Sequence, residues 1–264
     1  MLERTVLLFT FLCFGIAVSC MADSVLIVAD EWPQMEVLGD YLHDKGGYEI
    51  EKVEQDKMPA DLSGYRGALE FVHGDLKNEP ARALMDYAEN GGRLIVVHHG
   101  ISSAKKKTKG WLSFLGIELD LGKEAEHPYS WVHGVSFTMV NLNPNHYITS
   151  HNVKYHKTIE YQSSDQPSKP VKSPAIEFVN SEVFLNHQFT DGREKTVLFG
   201  FRYENPKTGK IYMQDRSGWV KRVGRGHAFY FHPGHTVSDF ENAGYCQILL
   251  NCLTWNPYGY RAKD

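Results

Sequence analysis

Apolar positions recur along this chain in two rhythms. Residues 24–31, SVLIVADE, are apolar without a break until the closing acids, the pattern of a strand buried on both faces. Met35, Leu38 and Leu42 then follow at helical spacing and stop at Gly46-Gly47. YEIEKVEQ alternates and predicts a more exposed strand, and GALEFVHGD (67–75) predicts another buried one. EPARALMDYAENGG (79–92) predicts a helix with Pro80 in its first turn and Gly91-Gly92 beyond its end. RLIVVHHG (93–100) returns to an apolar strand. Strands alternating with helices through short connections predict a mostly parallel sheet with helices on both faces.

The second half is less regular. KGWLSFLGIELD predicts a short helix and turn, and WVHGVSFTMVNLN a strand. From Pro144 to Pro174 no clean period emerges, so residues 101–190 are expected to hold a long irregular insertion serving as wall or lid. EKTVLFGFRYENPKTGKIYMQ predicts two strands joined at residues 205–209, HAFYFHP a further strand, and DFENAGYCQILLNCLTWN a closing helix.

Ligand crevices of such sheets lie beyond the carboxyl ends of the strands. Histidines gather at those ends: His73, His98-His99, and His232 with His235 in FHPGH, where Pro233-Gly234 stops a strand. Strand alternation would send His98 and His99 to opposite sides, so at most one of them is expected to face the crevice. Imidazoles suit acid–base work because their ordinary pKa lies near 6.5.

Composition narrows the picture. The 264 residues are 42% hydrophobic and 23% charged with a net charge of -4, a globular composition sized for one large core. The Lys105-Lys106-Lys107 triplet reads as a solvated loop, and with no other basic stripe a nucleic-acid partner is not expected. No Gly-x-Gly-x-x-Gly loop appears, so no nucleotide cofactor is expected. Arg4, the apolar run VLLFTFLCFGIAV and the small residues after it predict a signal peptide over residues 1–22, ahead of a single domain at 23–264. The run is short for a membrane span, so an exported protein without an integral membrane segment is expected. AVSC at 17–20 is similar to a lipoprotein box, which would anchor Cys20. Cys246 and Cys252 sit six apart on the closing helix, beyond easy disulfide reach.

Several segments, taken in order, resemble the ThuA-like, or trehalose-utilisation, family: NGGRLIVVHHG, FLG, SKPVKSPAIEFVNSEVF, GWVKRVGRGHAFYFHPGH and the closing helix through Trp255. The chain departs from the family pattern at Lys169, Ser181, Phe184 and His227, and matches it at His99, Glu182 and His235. The resemblance implies an α/β fold of the flavodoxin-like, class I glutamine-amidotransferase-like type. It also implies a role in carbohydrate metabolism, with a disaccharide, a glycoside or a 3-keto-sugar as the small-molecule partner. Glutaminase chemistry is not expected, because His98-His99-Gly100 fills the elbow where such enzymes place a cysteine.

The expected site is therefore His99, His232, His235 and Glu182. Two chemistries suit it: His/Glu acid–base catalysis, or a divalent metal such as zinc, with His73, His99 and His235 as candidate ligands. Tyr129, Trp131, Tyr155, Tyr161 and Trp219 are candidate sugar-stacking rings. The alternative reading is a carbohydrate-binding protein without catalysis.

Overall fold

A computed structural model describes residues 24–122, 127–191 and 195–258. The expected signal peptide and Cys20 lie outside the described residues. The first apolar run forms β1 (Ser24–Ala29), followed by α1 (Trp32–Gly46), β2 (Glu49–Val53), β3 (Gly67–Phe71), α2 (Asn78–Glu89) and β4 (Arg93–Val97). Next come α3 (Trp111–Leu115), β5 (Ile117–Glu118), β6 (Ser130–Asn141), α4 (Tyr147–Ser150), β7 (Lys157–Tyr161) and β8 (Val171–Leu185). The chain continues through β9 (Gln188–Phe189), β10 (Lys195–Glu204), β11 (Ile211–Val223), β12 (Gly226–Phe231), α5 (Val237–Phe240) and α6 (Ala243–Thr254).

Ten strands form one sheet in the order β2-β1-β3-β4-β12-β11-β10-β6-β8-β7. Its first five strands pair in parallel. From β12 onward every pairing is antiparallel. The α/β class stands, but the expectation of a mostly parallel sheet is corrected to a mixed one. The expected irregular insertion is corrected too. Its residues supply β6, β7 and the fifteen-residue β8, which widen the sheet. In β8 the exposed positions mix polar residues with Val171 and Val179, and the alternation slips near Asn180, so its period is hidden in the sequence.

Alternation along β1 feeds two cores. Val25 and Ile27 pack with Leu38 of α1 and Ile248 and Leu249 of α6 on one face. Leu26 and Val28 pack with Leu84 of α2 and Trp111 of α3 on the other. Helix α2 buries Ala81, Leu84, Met85 and Ala88, the stripe its sequence predicts. Cys246 and Cys252 are buried free thiols within α6. Lys105 corrects the reading of its triplet as solvated. It is fully buried, and its Nζ donates to the carbonyls of Val72 and Gly74 at 2.7 and 2.8 Å, bracing the loop that carries His73. No helix among the described residues is long and apolar enough to cross a membrane.

Candidate functional site

Strand β4 ends at Val97, and the chain turns at once into a 3₁₀ turn, His98–Ile101. His98 adopts φ 49°, a left-handed conformation rare outside glycine. Alternation presumes extended backbone, and this turn breaks it, so both His98 and His99 face the same centre. The expectation that only one would do so is corrected, and His98 is the residue that sequence reasoning missed. The turn is held by Trp111 Nε1–H, which donates to the Gly100 carbonyl at 2.7 Å.

That centre is Glu182, almost fully buried near the end of β8. Three ring nitrogens converge on its Oε2: His98 Nε2 at 3.0 Å, His99 Nε2 at 3.1 Å and His235 Nδ1 at 3.2 Å. Bulges in the β6–β8 ladder, at positive-φ Gly134 and Asn180, lie just before Glu182 along β8 and redirect the strand there.

His235 reaches the centre on the Pro233-Gly234 loop. Asp239, also missed in the sequence, clamps this loop. Its Oδ2 accepts from the backbone N–H of Gly234 at 3.0 Å and of His235 at 2.8 Å, and from Ser181 Oγ at 2.7 Å. One buried carboxylate thereby ties the His235 loop to the strand carrying Glu182. A side chain at Gly234 would place its Cβ 2.9 Å from that of His98, so glycine permits the close approach.

His232 and His73 take other places. His232 is fully buried behind the cluster. Its Nε2 accepts from the Phe184 N–H at 2.8 Å, and its ring stacks on Phe184. Its carbonyl accepts from His98 Nδ1 at 2.7 Å. His73 lies with its ring stacked on His99, centroids 4.0 Å apart, while its Nδ1 contacts Glu31 at 2.6 Å. Of the expected set, the structure gathers His99, His235 and Glu182 with His98, and sets His232 and His73 around them.

Environment tunes each group. Burial, helped by His98, lowers His99 to about 3, which leaves it neutral at neutral pH. Burial also lowers His232 to about 3. The Glu182 contact raises His235 above its ordinary value. Burial acts to raise the Glu182 carboxyl, but its contacts with His235, His98 and His99 outweigh this and hold it well below the usual carboxylate range.

Among the candidate stacking rings only Trp131 is exposed, at 51%, whereas Trp219 is fully buried and Tyr161 donates from its hydroxyl to Asp215 in the interior. Trp131 and His133 pair across the ladder with Phe184 and Glu182, which puts them on the face of the sheet that carries the cluster. Ring contacts run from Trp131 through Tyr129 and Phe184 to His98. Two surface clefts, one beside Tyr41 and Gln247 and one beside Tyr65 and Arg93, include no member of the cluster.

Among solved structures, the chain is similar to a ThuA-like protein from Bacteroides uniformis, at 15% identity and a TM-score of 0.57, covering 90% of this chain and 93% of that one. It is also similar to a cytoplasmic protein from Salmonella typhimurium, at 13% identity and a TM-score of 0.54, covering 87% and 97%. A part of a β-galactosidase from Bacillus circulans sp. alkalophilus matches at 13% identity and a TM-score of 0.53, covering 88% of this chain and 30% of that one. At such identities these likenesses show the fold alone. No curated protein matches the chain. The family model for ThuA, described as trehalose utilisation, matches residues 25–256, which include the whole imidazole–carboxylate cluster. The chain belongs to the ThuA family.

Proposed function

We propose that this ThuA-family chain is an exported enzyme of carbohydrate metabolism, acting on a disaccharide, a glycoside or a 3-keto-sugar at the rim of its parallel strands. The observation that carries this reading is the convergence of three imidazoles on one buried carboxylate oxygen. A cluster serving stability alone gains little from burying four ionisable groups together, since each loses its hydration. The centre offers what acid–base or metal-assisted chemistry at a sugar hydroxyl or carbonyl requires: imidazole nitrogens that accept a proton or bind a cation, and a fixed negative charge in a low-dielectric setting. Trp131 supplies an exposed ring beside it on which a sugar face stacks. Export rests on Arg4 and the apolar run behind it.

The test is a panel of disaccharides, aryl glycosides and their 3-keto derivatives, followed by calorimetry for binding and by product NMR for turnover. At least one member is expected to be converted. Glu182→Gln should then lower turnover by about 100-fold or more with binding retained. Binding without conversion would identify a carbohydrate-binding protein, and indifference to the whole panel would remove the sugar reading.

A further inference from the structure

We infer that His98 Nε2, His99 Nε2, His235 Nδ1 and Glu182 Oε2 are the ligands of a single divalent transition ion of the zinc type. The inference rests on taking this cluster as the functional centre, but its evidence is geometric. All four atoms lie within 4.8 Å of one another.

Hydrogen bonds alone do not account for the arrangement. One carboxylate oxygen has two lone pairs, yet three nitrogens crowd Oε2 at 3.0–3.2 Å. His98 makes the difficulty specific. Its Nδ1 faces the His232 carbonyl at 2.7 Å, and a carbonyl only accepts, so Nδ1 carries the hydrogen. In the neutral ring Nε2 then presents a lone pair, directed at a carboxylate lone pair 3.0 Å away. The Nδ1 of His235 is buried, and its contact with Oε2 is not aligned as a hydrogen bond. A cation between the four atoms removes these conflicts together, because each lone pair then points at positive charge.

The dimensions agree. Zinc–nitrogen and zinc–oxygen bonds of about 2.0–2.2 Å imply ligand–ligand edges of about 3.3–3.5 Å in a tetrahedron. The observed contacts to Oε2 are shorter by a few tenths of an ångström. Three imidazoles with one carboxylate favour zinc, iron, nickel or copper over magnesium or calcium, which prefer all-oxygen sets. Support beyond the ligands fits as well. Ligating imidazoles commonly donate their second N–H to a backbone carbonyl, as His98 does to His232. Asp239 fixes the His235 backbone, and the left-handed turn at His98 is the kind of strain that accumulates at functional centres. The side chain of His235 is 29% exposed while His98, His99 and Glu182 are almost enclosed, so the approach to the ion lies on its side.

The test starts with the full chain stripped by chelator, its folding checked by circular dichroism and its zinc uptake followed by calorimetry, with cobalt(II) absorption reporting the ligand set. About one zinc per chain is expected, with His235→Ala and Glu182→Gln each weakening binding by about 100-fold or more. His73→Ala, which removes a stacked neighbour and no ligand, should stay within about threefold of wild type. A folded, stripped wild type that takes up no zinc overturns the inference, as do His235→Ala and Glu182→Gln proteins that bind zinc like wild type. Conversion of a sugar by a protein that takes up no zinc overturns the inference while upholding the sugar reading. Stoichiometric zinc uptake with no sugar bound or converted upholds it and removes the sugar reading.

Discussion

Burial sets the charge of His187 and His232. Both are fully enclosed, and burial lowers His187 well below its ordinary value and His232 to about 3. Below about pH 6.5 the folded chain keeps these rings neutral, His232 down to about pH 3, while the unfolded chain protonates them, so unfolding takes up protons. Stability contributed this way is complete above about pH 6.5 and is lost as the pH falls toward the folded values. His187 gives the cleaner test, because neither of its ring nitrogens has a hydrogen-bond partner to strand. Replacing His187 with leucine should change stability at pH 7 by no more than about 1 kcal/mol. Denaturant unfolding near pH 5 should show a slope against pH shallower by about 1.4 kcal/mol per unit. An unchanged slope would mean that His187 titrates alike in both states.

At the level of elements, the site is a product of interruptions. Strand β4 gives way to a 3₁₀ turn, β6 and β8 bulge, and β12 ends in the Pro233-Gly234 loop. Gly234 holds φ 150° with no room for a Cβ beside His98. Gly234→Ala is therefore expected to cost about 1–3 kcal/mol, read as a lowered midpoint in thermal unfolding. Gly209, at φ 68° in the turn between β10 and β11, has open space around it. Gly209→Ala should accordingly cost only about 1 kcal/mol of backbone strain. Equal losses at the two positions would show that crowding against His98 contributes nothing. The FHPGH motif marks this loop in the sequence, and the role of its glycine follows from the neighbour it meets. Asp239 left no such mark, because an acid four residues after a histidine is ordinary in any surface helix, and only folding brings Ser181 to it.

Across the whole molecule, β4 and β12 lie inside the sheet, with partners on both sides, whereas β2 and β7 form its edges. Amides of β4 and β12 should exchange with solvent only through global unfolding. Those of β2 and β7 should exchange at least about 100-fold faster, as hydrogen–deuterium exchange can read strand by strand. Protection in β7 equal to that in β12 would contradict this gradient. The same contrast separates what was legible from what was not. Strands β1, β3 and β4 are buried on both faces and announce themselves as apolar runs, broken in β3 only by the buried Glu70, and α2 shows its buried stripe directly. Strand β8 mixes exposed and buried positions, carries Pro174 and bulges at Asn180, so its local pattern resembles a loop. Local chemistry thus determined the parallel half, its helices, and the placing of histidines at strand ends, because burial and backbone preference act on neighbouring residues. Tertiary structure decided that Glu182, more than eighty residues from His99, lies among three imidazoles, and that His98 joins them while His232 withdraws behind. Such choices depend on which strands pair and where each is broken, and those energies belong to contacts between segments remote in the chain.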